Sequence, residues 1–258
     1  MISLTEQQIL QWLYAYLLPL FRIAAFVAIV PILSTKSVPK KIKLLFVFLL
    51  TVAISPGITV DVDVDPISFE MFILIIQQIL IGLSMGFALQ IVFAAVVNGG
   101  QLVGMQMGLG FAQMMDPQTG VNVPVISQFY NLMAILVFLA LDGHLILIEM
   151  IAESFQILPI GGGGVSPKGF YELVEYGLWV FKGALMVALP VVISLLLINM
   201  VMGVITRATP QMNIFAVGFA ITIVGGFVLM FATLHVFAEQ FQLLLEQTLP
   251  FMTDLIVK

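Results

Sequence analysis

Ionisable and strongly polar side chains inside long apolar runs are where this sequence could do chemistry. An ionised group at the centre of a bilayer helix costs about 2.5–3.5 kcal/mol to insert, so each must meet a partner or water. The candidates are Arg22, Asp142, His144, Glu149, Lys182, Asn199 and His235. Asp142-Gly143-His144 offers a carboxylate and an imidazole close together, the parts of a proton relay. Residues at that spacing do not share a helix face, which equally suits a pair that caps or links neighbouring helices. Arg22, three residues after Pro19, reads as half of a buried ion pair with another helix or subunit. Lys182 can snorkel towards water from a helix end. Arg22, Asp142 and His144 are the expected buried polar positions.

Other chemistries fail on spacing. Asp61, Asp63 and Asp65 open like a calcium loop, but Pro66 stands where the turn glycine belongs and Phe72 where the final glutamate belongs. Ser37-Val-Pro-Lys40 has a serine–lysine hydrolase spacing without the rest of that site. Gly161–Gly164 is followed by Val165-Ser166-Pro167 rather than the Lys-Ser/Thr of a phosphate loop. There is no HExxH motif, and two histidines without cysteine make a poor metal set. The reading is therefore no catalytic residue, no metal and no cofactor. Nine scattered Lys and Arg among 258 residues make no patch for nucleic acid.

The elements that carry these residues are apolar helices. Hydrophobic residues make up 61% of the chain and charged residues 9%, against roughly 25% charged in a soluble domain. Too little polar surface exists to face water, so the expectation is an all-α, membrane-class protein of about six long apolar helices. The apolar stretches run over 9–33, 44–58, 69–97, 129–151, 176–205 and 214–236. The third would be about 43 Å long and the second is short for a span, so protein neighbours fit better than a row of lipid crossings. Residues 1–11 carry Glu6 and no Lys or Arg, which argues against a cleaved signal; Ser3 and Glu6 suit a capping box. Lys36, Lys40, Lys41 and Lys43 crowd the first connection, and Asp61, Asp63, Asp65 and Glu70 the second. The positive-inside rule puts the lysines in the cytoplasm and the N-terminus outside. Pro250 is expected to break or bend the C-terminal helix.

The oddest connection is 98–127, with a single charge, Asp116. Gly100, Gly104 and Gly108 recur every four residues and on a helix form a smooth stripe for close backbone approach. Phe111, Met114 and Met115 precede an Asp116-Pro117 turn. Flexible thioethers repack around changing shapes, so a loop this apolar is expected to be covered by protein or to line a channel.

These blocks carry a resemblance. Gly104-Met-Gln-Met-Gly-Leu-Gly-Phe-Ala112 with Asp116-Pro117, then Asp142-Gly143-His144, then Asn199-Met-Val-Met-Gly203, Arg207, Pro210-Gln-Met-Asn-Ile-Phe215 and Gly218-Phe219 resemble the FliR family of flagellar type III export gates in order and spacing. Ala220 departs from the proline the family pattern leads one to expect there. The resemblance implies one subunit joined with FliP and FliQ subunits in a helical assembly in the bacterial inner membrane, at the flagellar basal body. That assembly is the entry portal for unfolded export substrates, with larger export-gate proteins of the FlhB and FlhA type behind it. It implies a single export-gate domain, with FliP-like helices over 1–175 and a FliQ-like hairpin plus C-terminal helix over 176–258. By matching position the pore plug is about 106–122, comprising Gln106, Met107, Gly108, Leu109, Gly110, Phe111, Ala112, Met114, Met115, Asp116 and Pro117. Arg207, Pro210, Gln211, Asn213 and Phe215 match the family's subunit-contact loop. Alternatives are a secondary transporter, a non-gating structural scaffold, and the related injectisome subunit in place of the flagellar one.

Overall fold

A computed structural model describes residues 6–34, 38–58, 60, 64–109, 124–208 and 214–257. Among them every regular element is helical. The helices are α1 (Glu6–Ile29), α2 (Pro31–Ser34), α3 (Lys40–Ile54, followed by a 3₁₀ turn at Ser55–Gly57), α4 (Phe69–Gln106), α5 (Val125–Ala140), α6 (Gly143–Ile157), α7 (Pro167–Tyr176), α8 (Trp179–Ala208), α9 (Ile214–Ala232) and α10 (Leu234–Val257). Gln11–Ile29, Phe69–Gln106 and Pro167–Arg207 are long and apolar enough to cross a membrane, and two broken helix pairs raise that to five if each pair is one span.

Several boundaries differ from the apolar stretches. The stretch 129–151 divides at Leu141 and Asp142, where Asp142 adopts a left-handed conformation (φ 54°) and α6 begins. The third helix does not stop at residue 97; α4 continues through Gly99, Gly100 and Gly104 to Gln106, making 38 residues, or about 57 Å at 1.5 Å per residue. Glycine weakens an isolated helix by about 1 kcal/mol per residue. Here the glycines let neighbouring backbone approach closely, with Gly99 against α8 and Gly100 against the start of α5. Pro250 does not end α10, which runs on to Val257. Met252 and Leu255 beyond it are fully buried, and that packing holds the turn across the missing N–H.

The chain forms two compact units, each gathered from distant segments: Met1–Gln90, Asp142–Gly177 and Gln247–Lys258 in one, Ile91–Leu141 and Leu178–Glu246 in the other. In the first, α3 packs on α1, and Leu18, Ile23, Ile81 and Met85 lie in the core. A Cβ at Gly82 would collide with the backbone of Arg22, so α1 and α4 meet backbone to backbone. Tyr176 and Thr248 share a 2.6 Å hydrogen bond between their hydroxyls. In the second unit an aromatic string forms the core: Tyr130 lies 5.2 Å from Phe237, Phe237 6.3 Å from Phe241, Phe241 5.6 Å from Phe93 and Phe93 6.0 Å from Phe138. There α8 packs on α9, and α8 turns an apolar face outward, with Phe181, Leu185, Leu189, Ile193 and Leu196 exposed. Contiguous apolar surface of this kind needs lipid or a protein neighbour.

Candidate functional site

Of the seven polar candidates, only Arg22 is internal; Asp142, His144, Glu149, Lys182, Asn199 and His235 all lie on the surface of the isolated chain. Asp142 and His144, expected to be buried, are exposed in the isolated chain. Asp142 is the N-cap of α6, in a left-handed conformation, and His144 lies in the first turn of that helix. The Asp142 carbonyl accepts from the N–H groups of Leu145 and Ile146 at 2.9 and 3.2 Å, while its side chain makes no capping bond. Lys182 lies 5.3 Å from the Trp179 ring.

Arg22 has 0% exposure, and the expected ion pair is replaced by a neutral cage. Its Nε donates to Gln78 Oε1 at 2.8 Å, one terminal nitrogen donates to Ser154 O at 2.8 Å and Ser154 Oγ at 3.2 Å, and the other donates to Leu158 O at 2.9 Å. The guanidinium also stacks 4.2 Å from the Phe155 ring centre. Ser154 and Leu158 sit at the C-terminal end of α6, where the helix carbonyls carry partial negative charge. The helix end thus supplies what a carboxylate would otherwise provide. The partners were not singled out from sequence, although the polar pair Gln77-Gln78 within an apolar run was a usable signal.

The second constellation is the exit of α4. Gly99 faces α8: a Cβ there would lie 3.0 Å from Ala184 O. Gly100 and Gly104 face the start of α5, where added Cβ atoms would lie 2.7 Å from Ser127 Cα and 3.5 Å from Ile126 Cβ. Gly108 does not extend this stripe. The helix has already ended, and Gly108 takes φ 84°. Leu109 N–H donates to Gly104 O at 3.0 Å and Gly108 N–H to Met105 O at 3.0 Å. This pair of bonds around a left-handed glycine is a Schellman stop. Gly104 therefore meets both sides of the connection: its carbonyl holds Leu109, and its bare Cα faces Ile126.

Met107 is wholly buried against α9. A Cβ at Gly226 would sit 2.5 Å from Met107 Cγ and 2.7 Å from Cε. Thr222 Oγ1 lies 3.0 Å from Phe219 O and 3.3 Å from Met107 O, so its one proton serves the two carbonyls. A Cβ at Gly108 would stand 3.0 Å from the Phe219 ring. Beside this contact opens a groove of about 680 Å³ lined by Met105, Gln106, Gly108, Asn199, Met202 and Phe219, among others. The fold thus brings together the blocks around residues 104–108, 199–203 and 218–219. Sequence reading passed over Thr222 and Gly226, although the Gly225-Gly226 pair in an apolar helix marks close backbone approach.

Gly110, Phe111, Ala112, Met114, Met115, Asp116, Pro117, Pro210, Gln211 and Asn213 lie outside the described residues, as do Ser3, Lys36, Ser37, Asp61 and Asp63. Phe215 belongs to α9, with its side chain outside the described set, and Arg207 is exposed in the last turn of α8.

Residues 13–248 match the family described as bacterial export proteins, family 1. The flagellar biosynthetic protein FliR of Escherichia coli K12 is 40% identical over 252 residues, covering 95% of this chain and 96% of that protein. FliR of Pectobacterium carotovorum is 36% identical at the same coverage. The surface presentation of antigens protein SpaR of Shigella flexneri is 26% identical over 92% of each chain. With a family match across most of its length and relatives of this identity spanning nearly all of it, the chain belongs to the FliR family of bacterial export proteins.

Proposed function

We propose that this chain is a subunit of the flagellar type III export gate, at the entry portal for unfolded substrates, and that its segment 106–122 plugs the pore. The observation that carries the plug is the double attachment at Gly104. The 14 residues 110–123 leave from Leu109, bonded to Gly104 O, and return beside Ile126, packed on the Gly104 Cα. A segment tethered at one point can occupy a pore without carrying a load between helices. Phe111, Met114 and Met115 are the occluding side chains in this reading. Glycines around them let the backbone swing without Cβ clashes, and thioethers repack around a passing chain.

The outward apolar face of α8 supports protein neighbours, which we assign to FliP and FliQ subunits, with neighbouring gate subunits or proteins of the FlhB and FlhA type at the Arg207–Phe215 connection. The lysine end of α3 faces the cytoplasm and the N-terminus the periplasm, and much of the helical assembly lies above the bilayer plane. The test replaces Phe111, Met114 and Met115 with glycine in an assembled gate. Ion conductance should rise in the variant. Unchanged conductance in a correctly assembled complex refutes the plug and leaves a scaffold; saturable solute uptake by the isolated chain would point to a transporter.

A further inference from the structure

Segment 110–123 needs a defined starting point if it is to lie in a pore. The groups that set it are not only those of α4. The Schellman stop fixes where the helix ends, yet a helix end can fray into solvent. What meets this end is one face of α9: Phe219, Thr222 and Gly226, at helical spacings of three and four. Phe219 lies against Gly108, the Thr222 hydroxyl reaches Met107 O, and Gly226 has no side chain where Met107 packs. The fit at Gly226 is specific, since any Cβ would fall 2.5–2.8 Å from three successive atoms of the Met107 side chain. Gly225, one residue earlier, faces elsewhere; a Cβ there would lie 3.3 Å from Ile198 Cδ1 on α8.

We propose that Met107 is the anchor of the plug's root, and that Gly226 and Thr222 of α9 are the positioning residues that hold it. This rests on the plug reading for its function but not for its geometry. A methyl group at residue 226 cannot coexist with the present Met107 rotamer, so the Met107 side chain must leave its seat, and without that seat the Met107–Leu109 turn is expected to loosen. A methyl group at residue 225 meets only the tip of a flexible isoleucine and leaves the root in place. The two neighbouring substitutions add the same atom to the same helix, and they separate the anchor from a general effect on α9.

The experiment uses the assembled gate with Leu109→Cys as a reporter, in a chain that has no other cysteine. A membrane-impermeant maleimide reports how open the root is, and conductance is recorded on the same complexes. Gly226→Ala should speed labelling severalfold, Thr222→Val less, and Gly225→Ala should label at the parent rate. Met107→Ala with Gly226→Ala should label no faster than the faster single variant, because both break one contact. Parent-rate labelling of Gly226→Ala in an intact complex overturns the proposal, and so does equal acceleration by Gly225→Ala. Where Gly226→Ala does not assemble, Met107→Ala, which removes volume, takes its place, and parent-rate labelling there overturns it equally. Faster labelling without added conductance leaves the anchor standing and refutes the plug.

Discussion

Replacing Arg22 with alanine should cost the fold more than any other single change in the first unit. The guanidinium donates to Gln78 Oε1, Ser154 O, Ser154 Oγ and Leu158 O. Two of these have a second bond: Ser154 O accepts from Leu158 N–H at 3.0 Å, and Ser154 Oγ donates to Ile151 O at 2.7 Å. Gln78 Oε1 and Leu158 O lose their bond to the guanidinium. At about 1–3 kcal/mol for a buried group left without a partner, the loss is about 1–3 kcal/mol for the buried Gln78 oxygen and less for the half-buried Leu158 carbonyl, before counting the cavity. For a chain of this size that corresponds to a melting shift on the order of 10 °C. Lysine should rescue little, because a compact ammonium does not reproduce the guanidinium's fork towards four acceptors on three residues. Gln78→Glu tests the same cage from the other side. The Gln78 Nε2 is buried without a partner, and a carboxylate removes that orphan while giving the guanidinium a charge-assisted bond. Its expected effect is a gain of about 1 kcal/mol at neutral pH. The assay is thermal unfolding of the detergent-purified complex, read by size-exclusion chromatography. If Arg22→Ala assembles and melts like the parent but fails to export, the structural account of Arg22 is refuted and the residue belongs to the transport path.

Other outcomes follow from the packing distances. Gly100→Ala pushes a methyl group to 2.7 Å from the Ser127 backbone and should destabilise by about 1–3 kcal/mol. Gly104→Ala, at 3.5 Å from Ile126, should be neutral or stabilising, given alanine's better helix propensity of about 0.8–1 kcal/mol; equal melting temperatures for the two would refute the contact assignment. Tyr176→Phe and Thr248→Ala each break the 2.6 Å hydroxyl pair and should each cost about 1 kcal/mol, with the double variant less destabilised than the sum of the two singles in the same thermal assay.

Composition alone decided the class. With 61% hydrophobic and 9% charged residues, this chain has too few polar groups to cover a soluble surface, and only helices satisfy the backbone within such long runs. The motif blocks were also legible, because glycine and methionine spacing is local. Three things needed the tertiary structure. One is the chemistry of Arg22: charge tells that it needs a partner, but a helix end from 132 residues away supplies the bonds, and no pattern near Arg22 announces it. Another is which polar residues are enclosed within the chain, since Asp142, in a left-handed conformation, and His144 are exposed while Arg22 is fully covered. The last is the meaning of the glycine run 100–104–108. Its regular spacing reads as one stripe, yet two members seat α5 and the third ends the helix. Spacing records only the possibility of close approach, and the neighbour that arrives determines its use.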